Sequence, residues 1–572
     1  MTANRRWTIA SYPYERGSAR VRMFLIGMNR SRLAVAAVVF VVAFLYRFNA
    51  LGGALGGFDS DHFIFYLGGK AVAHGERPLR DFADAGLMGA WPALTYELSG
   101  LAQRMGGETL LSEAVLVVGA LALALSVLFV TAADVSGPVS AVVVTIATLF
   151  MSTKLYGYSK VLVFAVAAAL FLRYVRQPSR SRAMQLAIWS AVAFLFRHDF
   201  LVYLAPSVVV LIALSSSQWR EAADRLIVYS ATLALLLAAP VYSIQHYPGL
   251  GPYLETNRAL VADESNRTTF RWPHFSSRGH EPFFSKEDNA VAWLYYISLL
   301  IPVLALVTLI GSPQMRGLDS RQTRALIVSL AVLALILERF FLRNNLGARF
   351  GDLGAPVAIL AAWLPARYRD ASSFVRWSVR SVVAVVVIAT VLALSTTGSV
   401  AHELDTTGFS DSIRKLVGRV GVVGTELGAI PLPSDAALGP EPNAAEYVRV
   451  CTRPDDRVLV LANAPEILAF AGRLFAGGKP AFRTGYYRLE RDQRITLDRW
   501  RQQSVPIVLT DEERTYAPNF AAQFYLIDEY LKAHYDLVGE LPALAGDPVR
   551  VFALRSRSPT SRYRSAGLPC FR

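Results

Sequence analysis

Eleven apolar runs, separated by loops whose arginines fall on one side of an alternating count, constrain this chain more than any other feature. The first run, about 33–46, follows a tail bearing Arg5, Arg6, Arg16, Arg20, Arg22, Arg30 and Arg32, which the positive-inside rule keeps cytoplasmic. Ten more follow near 111–131, 138–152, 158–175, 183–196, 199–215, 225–244, 291–311, 325–342, 353–365 and 379–396. Several approach the ~20 residues that a hydrocarbon core of about 30 Å requires. Counting inward places the connections at 173–182, 215–225, 312–324 and 366–380 in the cytoplasm, and these hold Arg173, Arg176, Arg180, Arg182, Arg220, Arg225, Arg316, Arg321, Arg324, Arg367, Arg369, Arg376 and Arg380. The expected fold is therefore a polytopic α-helical membrane protein with about eleven spans. Its N-terminus is cytoplasmic and its C-terminal part extracytoplasmic.

Composition agrees: 572 residues are 53% hydrophobic, and mean hydropathy is +0.35. The net charge of +14 is largely the topological arginine excess, which argues against a nucleic-acid partner and for a bilayer. No cleavable signal peptide is expected, because an arginine-rich stretch of some thirty residues precedes the first apolar run.

Three parts follow. Residues 1–32 read as a basic tail and 33–398 as the membrane part, with long external loops at 51–108 and 245–290. Residues 399–443 read as a linker, Gly-, Pro- and Ser-rich from about Gly424 to Asn443, and 444–572 as an extracytoplasmic α/β domain. In the last part a strand from Asp456, a helix from Pro465, a strand from Val505, a helix near 520–534 and a strand from Val549 alternate. Cys451 and Cys570 both fall there, where an oxidising compartment permits a disulfide, and their pairing is left open.

The cytoplasmic loops are short, so chemistry is sought outside. Asp59 and Asp61 follow the first span, ahead of a run in which Phe63, Ile64, Leu67, Ala71 and Val72 suggest a helix lying in the interface. Capping of that helix needs one carboxylate. A pair at the edge of lipid offers more, since partial desolvation favours proton uptake, the property of a general base on an acceptor hydroxyl. Arg197-His198-Asp199 sits between two spans, either as a functional cluster or as an Arg–Asp pair fixing a turn. Glu338, Arg339, Arg343, Arg349 and Asp352 cluster at the next outward turn, where arginine is topologically disfavoured. A bound phosphate or anionic headgroups would explain them, and Lys154 and Lys160 join the argument more weakly. Trp293, Tyr295 and Tyr296 read as an interfacial aromatic belt rather than a sugar platform.

An acidic motif after the first span, many further spans and an external C-terminal module resemble the GT-C glycosyltransferases that use polyprenyl-phosphate sugars, especially bacterial relatives of protein O-mannosyltransferases and lipid A aminoarabinose transferases. The residues that carry the likeness are Asp59-Ser-Asp-His, Tyr66-Leu, His74-Gly-Glu-Arg-Pro-Leu-Arg-Asp-Phe, Phe196-Arg-His-Asp, Ala290-Val-Ala-Trp-Leu-Tyr-Tyr, Arg343 to Asp352, and Asp456-Arg-Val-Leu-Val with Pro465-Glu. The resemblance implies transfer of a hexosyl or pentosyl group, with inversion, from a polyprenyl-phosphate donor to a glycan, lipid or protein hydroxyl, in the bacterial inner membrane. It implies Asp61 or Asp59 as base and Arg343, Arg349, Arg197 and Lys154 as donor-phosphate ligands. His62, Asp81, Asp84, His198, Asp199 and Asp352 would support them. Where the family often has Asp-Glu, this chain has Asp61-His62, which leaves open which Asp is the base and whether a divalent metal takes part. Two other classes compete: a transporter or flippase of a lipid-linked or polar solute, which should place ionisable or helix-breaking residues deep in several spans, and a non-catalytic envelope assembly protein.

Overall fold

The computed structural model describes residues 30–52, 58, 60–82, 93–151, 155, 159–267, 272–276, 283–310, 315, 318–341, 350–368, 371–397, 404, 407–408, 412–431, 443–482, 488–511, 520–542 and 548–572. After α1 (Arg30–Asn49), the first long loop contributes α2 (Ser60–Ala73) and α3 (Ala93–Gly106). Then come α4 (Leu110–Ser136), α5 (Pro138–Phe150), α6 (Lys160–Arg176), α7 (Arg180–Phe196), α8 (His198–Ser215) and α9 (Trp219–His246). The second long loop contributes α10 (Leu250–Arg267), and α11 (Glu287–Val307), α12 (Ser320–Phe341), α13 (Phe350–Arg367) and α14 (Ser373–Thr397) complete the bundle.

Each of the eleven apolar runs lies on a helix. Seven of these, α1, α4, α8, α9, α11, α12 and α14, are long and apolar enough to cross a membrane. The other four are shorter, from 13 residues in α5 to 18 in α13. The chain is a polytopic α-helical membrane protein with a C-terminal α/β region. At the centre stands α4, packed on α1, α3, α5, α6 and α13. At the edge, α9 and α14 leave Leu235, Val382 and Val385 exposed, as lipid-facing helices must. Charged groups keep to the helix ends, but Pro206, Pro240 and Pro302 sit within α8, α9 and α11, so helix-breaking residues are not confined to span ends as expected.

Side-chain contacts sort the helix ends into two sets. Arg32 of α1 and Arg176 of α6 both hold Asp134 of α4, the latter at 2.8 Å, and Arg180 of α7 holds Asp224 of α9. These residues come from the ends that the arginine count assigned to one side. At the opposite ends Arg47 reaches the Met151 carbonyl, and Lys160 of α6 pairs with Asp352 of α13.

The α/β region begins after α15 (Ile413–Gly428), a helix within the segment read as a linker. It packs on α1 and α4, and Asn49 Nδ2 donates to its Leu416 carbonyl at 3.2 Å. Next come α16 (Ala444–Cys451), β1 (Arg457–Leu461), α17 (Glu466–Ala471), β2 (Leu474–Phe475), α18 (Glu490–Gln502), β3 (Ile507–Asp511), α19 (Phe520–Gln523), α20 (Tyr525–His534), β4 (Tyr535–Leu541) and β5 (Val549–Leu554). The sheet order is β2-β1-β3-β5-β4, with β2, β1 and β3 parallel and β5 antiparallel to both neighbours. A small hairpin, β6 (Ser561–Arg562) with β7 (Pro569–Cys570), returns the chain to α16, where Cys570 is disulfide-bonded to Cys451.

Two expectations change. The helix α2 does not lie with one face in the interface: Asp61 through Val72 are all buried, because α3 covers one side and α17 and β2 another. Nor do Tyr295 and Tyr296 form a belt at the lipid surface. Tyr295 is buried against Trp272 at 5.8 Å, and the Tyr296 hydroxyl donates to the Pro273 carbonyl at 2.7 Å, so both pin the second long loop.

Candidate active site around α2

An apolar run with two adjacent glycines decides how tightly α2 is held. A Cβ at Gly68 would sit 2.2 Å from the Tyr96 ring, and one at Gly69 would sit 2.0 Å from Ser99 Oγ, so only glycine permits this approach of α2 to α3. The contact is then stitched by polar bonds: Gln103 Nε2 to the Tyr66 carbonyl at 2.9 Å, the Tyr66 hydroxyl to the Glu108 carbonyl at 2.9 Å, and Ser99 Oγ to the buried Glu113.

The other side of α2 belongs to the α/β region. Asn463 Nδ2 donates to Ser60 Oγ at 3.4 Å, Phe63 packs on Phe470 at 6.0 Å, and Lys70 Nζ donates to the Gly472 carbonyl at 3.1 Å. Beyond the helix, Arg457 holds Glu76. The Lys70 amine is held below its ordinary range chiefly by burial, while Glu108 at 3.5 Å opposes that shift. Helix α2 is thus a joint between the bundle and the sheet.

At the start of α2, Asp61 is 7% and His62 5% exposed. The ring of Phe58 meets His62 edge-on at 5.2 Å. A carboxylate in a first helical turn is favoured by the free amides there. The arrangement can hold a proton-accepting group away from bulk water. Beyond α2, Arg80 grips Asp81 with Nε at 2.8 Å and Nη2 at 2.6 Å, and the Arg77 amide adds a third bond. Burial would raise the Asp81 carboxyl, but these donors hold it below the usual carboxylate range.

The remaining expected residues fall in two other places. Arg197 forks onto Asp199 through Nε at 2.8 Å and Nη2 at 2.6 Å, Tyr203 donates to the same carboxylate at 2.8 Å, and Tyr253 meets His198 Nδ1 at 3.0 Å. The pair fixes the α7–α8 turn, as one reading anticipated, and His198 ties that turn to α10. Asp352 is enclosed with Lys160. Near the end of α12, Glu338 is 1% exposed, and neither of its oxygens has a hydrogen-bond partner among the described residues. Asp59, Asp84, Lys154, Arg343 and Arg349 lie outside the described residues. No group of three His, Cys, Asp or Glu capable of holding a metal occurs among the described residues. Sequence reasoning missed Lys70, Ser99, Glu113 and the buried Glu466. The Gly68-Gly69 pair inside an apolar run was the available signal for the first three.

No family model matches this chain, and no curated protein matches it. Among solved structures, it is similar to the oligosaccharyltransferase of Archaeoglobus fulgidus in the apo form, with TM-score 0.48 and 10% identity over 89% of this chain and 80% of that one. It is also similar to ArnT from Cupriavidus metallidurans bound to undecaprenyl phosphate, with TM-score 0.46 and 12% identity over 91% of this chain and 97% of that one.

Proposed function

We propose that this protein is a membrane glycosyltransferase that moves a sugar from a polyprenyl-phosphate donor to an acceptor hydroxyl on the extracytoplasmic face. The observation that carries the reading is the enclosure of Asp61, a carboxylate 7% exposed at the first turn of a helix covered jointly by the bundle and the α/β region. The acceptor oxygen attacks the anomeric carbon, the bond from that carbon to the phosphate oxygen breaks with inversion, and polyprenyl phosphate leaves with the electron pair. Asp61 takes the acceptor's proton, with Asp59 the alternative base. The departing phosphate needs positive charge beside it. Arg343, Arg349, Arg197 and Lys154 are assigned that task, since guanidinium forks match phosphate geometry. His62, Asp81, Asp84, His198, Asp199 and Asp352 position these groups.

The test is transfer from a panel of radiolabelled polyprenyl-phosphate sugars by the purified protein. Asp61→Asn should lower turnover by about 10²–10⁴-fold, the usual contribution of a general base, while donor binding persists. Wild-type turnover in Asp61→Asn, Asp59→Asn and their double variant would remove the catalytic assignment.

A further inference from the structure

A polar groove opens at the far end of α2, roughly 20 Å from Asp61 by the 1.5 Å rise of a helix. It has a volume of about 510 Å³ and lies between the turn after α2, the α9–α10 turn and α18. Its walls carry Arg80 and Asp81 from the first element, Tyr247 from the second, and Asp498, Arg499 and Gln502 from the third.

The groove is a built feature rather than a gap between neighbours. Arg499 Nη2 donates to the Leu79 carbonyl at 3.3 Å and to the Tyr247 hydroxyl at 3.3 Å, so one side chain joins all three walls. Beneath it Gly478 has φ +75°, and a Cβ there would lie 2.4 Å from Arg499 Nη1 and 2.8 Å from the Asp81 carbonyl. The floor is therefore fixed at this spacing.

The lining selects a class of ligand. Arg80 is matched by Asp81, and Glu76, at the rim, by Arg457. Arg499 and Asp498 add one charge of each sign, so no single-sign field favours a polyanion or a polycation. What the walls offer is a mixture of amide, carboxylate, guanidinium and phenol groups, beside the ring of Tyr247 and the side chain of Ile495. Hydroxyls both donate and accept, and a sugar ring carries them around an apolar C–H face. A volume of this size belongs to the range of pockets that enclose extended small ligands.

We propose that this groove is a distal subsite for an uncharged oligosaccharide, the non-reacting part of the acceptor, so that the protein extends an existing glycan. This rests on the reading of α2 as a glycosyl-transfer site. An acceptor held in the groove would run along α2 toward Asp61.

The experiment uses detergent-solubilised full-length protein on an array of uncharged oligosaccharides graded in length down to monosaccharides, with sulfated oligosaccharides as the charge control. Binding should rise with length, ignore salt, and fall roughly tenfold or more in Asp498→Ala/Gln502→Ala, as expected for two lost hydrogen-bonding groups. Both positions are exposed, so a thermal midpoint equal to wild type is expected of the variant. Absence of array binding by the wild type, preference for sulfated glycans, or unchanged binding in the folded double variant overturns the proposal. Asp61→Asn should bind the array like wild type. If that variant also transferred sugar normally, the catalytic reading would fall while the groove remained.

Discussion

Lys160 and Asp352, 192 residues apart, form an ion pair whose side chains are 3% and 2% exposed, joining the first turn of α6 to the first turn of α13. Two charges so enclosed hold each other in place, and removing one strands the other. Lys160→Met or Asp352→Asn should each destabilise the protein by about 3–5 kcal/mol, whereas Lys160→Met/Asp352→Leu should recover most of the loss. Chemical denaturation in detergent measures all three. Single-variant losses no larger than the ~1 kcal/mol of an exposed pair would contradict the enclosure.

Glu466, 8% exposed at the first turn of α17, has a carboxyl pushed up to about 7 by burial, with its own backbone amide opposing only part of the effect. A carboxyl raised on folding contributes stability that is fully present below its ordinary value of 4.5 and is lost as pH rises through about 7. Glu466→Gln should therefore become progressively more stable relative to wild type between those pH values and hold a constant advantage above them. Thermal midpoints recorded across that window test it, and parallel curves for the two proteins would count against the buried carboxyl.

The disulfide between Cys451 and Cys570 closes a loop of 119 residues around the sheet. In the chain-entropy model a loop of that length is worth roughly 4–5 kcal/mol. Cys570→Ser should lower the unfolding midpoint of the α/β region markedly, and a reductant should do the same to wild type without affecting the variant. Equal midpoints with and without reductant would show that the bond does not constrain the unfolded chain.

The arginine pattern predicts that a reporter active only outside the cytoplasm works when fused after Val400 and fails when fused within 312–324. The reverse pattern would put the α/β region and α2 on the cytoplasmic side.

Much of this architecture was legible because it is local. Long apolar runs became helices, and the strands at Arg457, Ile507 and Val549 followed their β-branched runs. Three elements of the α/β region were not. The helix α18 is dominated by charged residues, and only Gln493, Thr496, Leu497 and Trp500 mark its buried face, while β2 is two residues long and β4 mixes exposed and buried positions without alternation. The Arg197–Asp199 turn was visible at two-residue spacing. The cover over Asp61 was not, because the segments that provide it, about 463–475, lie some four hundred positions away.

That separation has a consequence for how the protein is made. A ribosome completes α2 long before it reaches Gly472, the partner of Lys70 across 402 positions. Until the final third of the chain has emerged and folded, the face of α2 that meets α17 and β2 is uncovered, with an amine and several aromatic rings exposed beside the bilayer. The joint can close only late, from the last domain back onto one of the earliest helices. Truncation anywhere in the α/β region would therefore leave an inserted bundle with an unfinished site, and a nascent chain stalled at that stage would present α2 to membrane chaperones and proteases.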